Sequence, residues 1–199
     1  MARMIGRELF CTLLAQHAGQ ALTREVAVDL INAIFPDRSI DPARFAPVEY
    51  RGLVFQVERF RDIETEIHAL HAMHWAETER YRDAMAMVPD YEGFKEKERD
   101  GGLIQFTARA DGALVGNIRM YLFRSMHTQQ LAAKEDTFFL LAAHRSGFTA
   151  IRFWQHMENV LRALGVKEIT TDSKVTNKVG RLNEYLGYAH VADVYHKLL

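Results

Sequence analysis

The residues His144-Arg145-Ser146-Gly147-Phe148-Thr149-Ala150 follow a continuous apolar stretch, TFFLLAA, and open a strongly amphipathic segment. A strand that enters a glycine-containing turn at the start of a helix makes an anion site. The first N–H groups of a helix lack internal partners, and the helix dipole places partial positive charge there. Gly147 lets the backbone approach the anion closely, and Arg145 and a protonated His144 add formal charge. The chain carries no GxxxxGK[ST], no early GxGxxG and no GxSxG. That excludes a P-loop, a dinucleotide fingerprint and a nucleophile elbow. A second set of reactive types is His68, His71 and His74, followed by Glu77 and Glu79. An i, i+3 spacing on a helix suits a metal pair, but the HExxH spacing is absent and no metal site is expected. The single cysteine, Cys11, lies near the apolar face of its segment and reads as a buried small hydrophobe rather than a nucleophile.

The elements that must position these groups follow from hydrophobic period and turn chemistry. Ile5, Leu9 and Leu13 recur at four-residue spacing, and after Gly19 a second stripe holds Val26, Leu30 and Ile34 behind a Thr23 N-cap. Residues 36–47 are an ordered loop or linker. Residues 50–60 alternate as a strand. Asp62 caps a helix carrying Ile63, Ile67, Leu70 and His74 that runs on to about Met87. Residues 90–102 read as a turn and loop. Two strand-like runs, 103–110 and 113–123, flank Asp111-Gly112, a strong hairpin signal because a type I′ turn needs φ > 0 at both central residues. Residues 124–134 read as a loop and 137–143 as a strand covered on both faces. The next helix carries Ala150, Trp154, Met157, Leu161 and Leu164 and stops at Gly165. A strand at 166–171, a short helix ending at Gly187 and a closing strand at 191–198 complete the order. The expected fold class is α/β (α+β, mixed sheet), with helices on both faces of a central sheet.

Of 199 residues, 25 are Lys or Arg and 26 are Asp or Glu, a net charge of −1, so no global field recruits nucleic acid or an anionic membrane. Apolar residues at 48% and charged residues at 26% suit an ordinary core. One cysteine excludes an intrachain disulfide and a CxxC metal site. No apolar run reaches a membrane span, and residues 9–15 make no convincing signal peptide, so a cytoplasmic protein is expected.

Taken together, FTARADGALVGNIRMYLF, then EDTFFLLAAHRSGFTAIRFWQHMENVLRALGVKEI, then VGRLNEYLGYAHVADVYHKLL resembles the GNAT superfamily of acyl-CoA N-acyltransferases. A "dG.lvG" hairpin precedes the central strand. A loop of pattern (Q/R)-x-x-G-x-(G/A) opens a helix ending in Leu-Gly, and a later helix ends in Leu-Gly-Tyr. The resemblance covers residues 50–199, which implies a GNAT-like domain at 48–199 behind a helical extension at 1–47. It implies a central sheet flanked by helices, acetyl-CoA as acyl donor, an amine acceptor of unknown class and no metal. The loop pattern falls on His144, Gly147 and Thr149. The pyrophosphate contacts it implies are backbone N–H groups from Arg145 through Ser146, Gly147, Phe148 and Thr149 to Ala150. The strand positions facing the pantetheine arm match Phe139 and Leu141 to within one residue, and one of their N–H groups would face the thioester oxygen. Glu135 and Asp136 match the place of the base. The tyrosine that protonates the leaving thiolate has its counterpart at Asn183, a departure; Tyr185 and Tyr188 are the substitutes. Asn177 matches a ligand of the cofactor arm, although strict counting falls on Thr176. The helix of His74 and Trp75 would border the acceptor pocket. The alternative is a catalytically weak GNAT-like module that binds a partner, with the N-terminal helices as the expected contact to a second copy or an assembly.

Overall fold

The structure is a computed structural model that describes residues 7–79, 85–174 and 179–198. Helices α1 (Arg7–Gln16) and α2 (Arg24–Ile34) open the chain, and the Thr23 hydroxyl accepts from Val26 N as the cap expected of it. Neither helix is absorbed by a core: α2 has no buried residue, and Phe10, Leu14, Val28, Ile31 and Phe35 are exposed. Cys11 is exposed as well, not buried, because no described residue covers that face of α1.

Residues 50–60 are not one strand. Arg51 and Gly52 both take positive φ, at 51° and 76°, and fold β1 (Val48–Tyr50) back on β2 (Leu53–Glu58). Asp62 does not cap α3 (Phe60–Thr78). The buried Glu98 does so from a distance, accepting from Phe60 N at 2.5 Å and Arg61 N at 3.3 Å. Helix α3 ends at Thr78, short of Met87. Residues 90–102 contain a nine-residue helix, α4 (Tyr91–Arg99), capped by Asp90. Asp111 and Gly112, at φ 48° and 83°, join β3 (Leu103–Ala110) to β4 (Ala113–Arg124) as the I′ chemistry requires. Strand β5 (Leu131–Leu140) begins inside the stretch read as loop, because β4 is long enough to pair with it from Arg124 back to Gly116. The strand stops at Leu140, and Ala142–His144 is a 3₁₀ turn.

Helix α5 (Thr149–Ala163), strand β6 (Glu168–Thr170) and helix α6 (Val179–Tyr185) follow. The closing strand expected at 191–198 does not form. Val191, Val194 and Tyr195 are 77–90% exposed, and the three-residue edge of β6 offers too few ladder bonds to hold them. The sheet runs β1-β2-β3-β4-β5-β6, antiparallel except for the parallel β5–β6 pair.

A core between the sheet and α5 holds Phe55, Phe106, Ile118, Phe153, Trp154 and Met157, with Phe55 and Phe153 stacked at 5.0 Å. Phe60, Ile63, Ile67 and Leu103 pack on the other face under α3 and α4. Each face of the sheet is therefore closed by helix, which is the layered mixed α/β architecture expected. Among the described residues no helix is long and apolar enough to cross a membrane.

Candidate active site

Strand β5 positions the site because only its first half is paired on both sides. It meets β6 at Ala132–Glu168, Ala133–Ile169 and Lys134–Thr170, and there the pairing ends. From Glu135 onward no described strand pairs with the edge facing away from β4. Leu141 N donates to Val115 O at 2.8 Å, and Leu140 pairs with Gly116. Antiparallel geometry alternates inward and outward residues, so Phe139 and Leu141 turn their backbone groups to β4. Phe138 and Leu140 turn theirs to the open edge. The outward positions lie one residue from Phe139 and Leu141, inside the one-residue margin of that expectation. Arg145 Nε donates to Leu140 O at 2.5 Å from that open side, in keeping with the shift.

Where β5 leaves β6 the ladder to β4 also breaks. Thr137 faces Arg119 and Glu135 faces Met120, so Asp136 is an extra residue with no opposite number. The bulge sends two consecutive carboxylates to different partners. Glu135 accepts from Thr171 Oγ1 at 3.0 Å and from the Asp172 amide, bridging the strands where they part. Burial pushes its carboxyl up to about 7 against these two bonds, with the Asp136 and Asp172 charges adding to the rise. Asp136 is instead paired with Arg119, whose Nε and Nη2 lie 2.7 and 2.6 Å from Oδ2.

Helix α3 covers this region. His74 packs against Phe139 with ring centroids 5.4 Å apart, and burial lowers its proton affinity; Trp75 beside it is half-buried. The histidine series fans around the helix instead of converging: His68 stacks on Tyr91 at 4.2 Å, and His71 lies 3.2 Å from Arg119 Nη1. No group of three or more possible metal ligands occurs among the described residues.

The turn before α5 divides the residues expected to meet an anion. The amides of His144, Arg145 and Thr149 are taken by Leu141 O, Ala142 O and Ser146 O. Among the described residues the amides of Ser146, Gly147, Phe148 and Ala150 donate to no backbone carbonyl. They are the orphan donors a helix start leaves. Gly147 sits at φ 60°. The Thr149 hydroxyl turns back to Ser146 O at 2.8 Å, so a threonine fits where the resemblance has Gly or Ala. The Arg145 side chain does not serve the anion as expected. It forms a two-point ion pair with Glu77 of α3, at 2.6 and 2.8 Å, and its charge is neutralised there. A different cation is present: a Cβ on Gly147 would meet Arg51 Nη1 at 2.7 Å, so the hairpin arginine lies over the turn.

The remaining candidates lie farther along the chain. Asn183 is buried on α6 with Oδ1 unpartnered. Tyr185 is 67% exposed. The Tyr188 hydroxyl accepts from Trp154 Nε1 at 2.9 Å and donates to Glu158 at 2.8 Å, and burial raises its proton affinity. It is engaged in the α5 core. Asn177 lies outside the described residues. Sequence reasoning missed Arg119, Thr171, Glu77 as a partner and Arg51. Only Arg119 left a signal: an arginine within the alternation of β4 needs an acid partner wherever its face is buried.

No family profile matches the sequence, and no curated protein matches it. Solved structures do. A ribosomal-protein-alanine N-acetyltransferase from Brucella melitensis biovar Abortus 2308 is similar at 19% identity and a TM-score of 0.55, over 74% of this chain and 97% of that one. An aminoglycoside acetyltransferase, HMB0005, from an uncultured soil metagenomic sample is similar at 14% identity and a TM-score of 0.60, over 74% and 98%. A putative acetyl transferase from Pyrococcus furiosus is similar at 16% identity and a TM-score of 0.53, over 73% and 99%. This chain has the GNAT fold that these solved structures share.

Proposed function

We propose that this chain is an acyl-CoA-dependent N-acetyltransferase that moves the acetyl group of acetyl-CoA to an amine by direct attack on the thioester. The observation that carries the reading is the open edge of β5. It begins at a carboxyl raised to about 7 and leads into a helix start with four unused amides, all within a GNAT fold.

In this reading the amides of Ser146, Gly147, Phe148 and Ala150 take the pyrophosphate, and Arg51 adds charge beside it. The pantetheine arm lies along β5 and bonds the outward groups of Phe138 and the outward N–H of Leu140, whose carbonyl is held by Arg145. Glu135, ionised, takes the proton of the acceptor ammonium, and the freed amine attacks the carbonyl carbon. A carboxyl that titrates near 7 is matched to that task at neutral pH. An outward N–H of Phe138 or Leu140 stabilises the oxyanion. Collapse breaks the C–S bond and expels the CoA thiolate, and the nitrogen, which brought two hydrogens into the intermediate, gives one to solvent as the amide forms. Tyr188 is committed to Trp154 and Glu158 and Tyr185 is exposed, so the thiolate leaves without a protein acid and takes its proton from solvent. His74 and Trp75 border the acceptor side.

The test is thermal stabilisation by acetyl-CoA, followed by free-thiol release with a panel of small amines, amino acids and N-terminal peptides. Ligand at 100 times its Kd adds about 2.7 kcal/mol of stability. No stabilisation at millimolar acetyl-CoA refutes the reading. Stabilisation with no thiol release for any amine favours the alternative of a GNAT-like binding module, to which Asn183 at the usual tyrosine position points.

A further inference from the structure

Arg119 is a buried charge that the reaction above does not use. Its side chain is 6% exposed, and it lies over the Phe94 ring with 3.8 Å between guanidinium carbon and centroid. Nε and Nη2 bind Asp136, Nη2 also reaches Thr137 Oγ1 at 3.2 Å, and Nη1 lies 3.2 Å from His71 Nε2. A guanidinium only donates, so His71 Nε2 accepts and the imidazole proton sits on Nδ1, 3.4 Å from the Tyr91 hydroxyl. Burial first, and the Arg119 charge next, hold His71 neutral, down to about 3. The arginine therefore has one anionic partner, and it is the residue next to Glu135.

We propose that Arg119, with His71 behind it, is a positioning residue that neutralises Asp136 in the β5 bulge and so frees Glu135 to act as the base at neutral pH. The proposal rests on the acetyltransferase reading for the role of Glu135, but the charge coupling it describes does not. Two carboxylates in sequence, both beside a protein interior, oppose each other's ionisation. The bulge separates them in direction, and Arg119 cancels the one whose ionisation is not needed. Other groups bear on Glu135. On β5, Lys134 is paired with Asp172 at 3.2 Å. After β6 come Thr171, Asp172 and the Lys174–Glu79 pair. Tyr121 on β4 is pushed up to about 12, by burial and by the Asp136 charge, and α3 contributes the lowered His71 and His74. Each charged neighbour other than Asp136 and Arg119 is paired elsewhere or neutral.

The experiment follows the Glu135 side-chain carboxyl directly. Protein labelled with ¹³C at glutamate is titrated by NMR, with the resonance assigned by its loss in Glu135→Gln, for wild type, Asp136→Asn, Arg119→Met and Arg119→Lys. The proposal expects the Glu135 midpoint to fall in Asp136→Asn and to rise in Arg119→Met, each by about one pH unit, the order of effect of one neighbouring charge. Arg119→Lys stays near wild type. Should Arg119→Met fail to fold, Asp136→Asn and Arg119→Lys decide alone. Shifts of one sign in Asp136→Asn and Arg119→Met, or no movement of the midpoint in folded Asp136→Asn, overturn the proposal. None of this needs acetyl-CoA or an acceptor, so absence of acetyl-CoA binding refutes the acetyltransferase reading without touching the titration. Where thiol release is measurable, the acid limb of its pH profile moves with the carboxyl; a limb that stays fixed while the carboxyl moves overturns the role given to Arg119.

Discussion

Replacing Glu135 by glutamine removes the proposed base and should also make the folded protein more stable at neutral pH. The carboxyl titrates at 4.5 when free and at about 7 in the fold, chiefly because of burial. Between those values the unfolded chain has released the proton that the folded chain keeps. Stability therefore falls as pH rises from about 4.5 to about 7, and the full cost is present above that range. At about 1.4 kcal/mol per pH unit, the difference sets a cost of about 3 kcal/mol. Glutamine has the same size, still accepts from Thr171 and never ionises. The assay is thermal or urea unfolding of wild type and Glu135→Gln in parallel from pH 4.5 to 8. Titrating groups not coupled to Glu135 are common to both proteins and cancel in the difference, which leaves Glu135 and the Asp136 and Asp172 charges that bear on it. The two should be nearly equal at pH 4.5, and the variant should melt about 6–12 °C higher at pH 8. A difference that is constant across the range refutes the claim that Glu135 is held in a raised, strained ionisation state. Loss of thiol release in the same variant would join that strain to function, as a stability cost kept for activity.

Other outcomes follow from single contacts. Gly116→Ala places a Cβ 2.9 Å from the Phe139 carbonyl oxygen and 2.6 Å from Leu140 Cδ1, so it should cost about 1–3 kcal/mol in urea unfolding by pushing β4 off β5. Glu98→Ala leaves the first amides of α3 without an acceptor and should cost about 1–3 kcal/mol, read as a lower unfolding midpoint with unchanged m-value. Tyr188→Phe removes the hydroxyl that joins Trp154 to Glu158. It should lower stability by about 1 kcal/mol and leave kcat for thiol release unchanged; a large fall in kcat would return Tyr188 to the role of acid.

Local chemistry was readable and distant partnership was not. Asp111-Gly112 named its turn because two successive positive φ values select those residues, and Thr23 named its helix start by a bond three residues long. The α5 stripe and the order of elements around the open edge of β5 were written in hydrophobic period. Glu98 capping α3 across 38 residues and Arg145 turning to Glu77 across 68 have no local signature, since either side chain could equally meet solvent. The one-residue margin on Phe139 and Leu141 has a similar origin. Strand facing has period two, so a shift of one residue reverses every assignment, and the Asp136 bulge breaks the count within the same strand. The failed strand at 191–198 shows the same limit: alternation describes a segment that suits a sheet, but pairing needs an edge, and β6 is three residues long.

The central claim is that an acyl-CoA lies along the open edge of β5 with its pyrophosphate on the start of α5. Titrating ¹⁵N-labelled protein with acetyl-CoA and following the amide resonances tests it most directly. The account predicts saturable shifts concentrated at Phe138, Leu140, Ser146, Gly147, Phe148 and Ala150, with Phe139 and Leu141 moving less because their amides face β4. Unchanged amides along β5 and at the start of α5 at millimolar acetyl-CoA, or shifts confined to other parts of the chain, would contradict it.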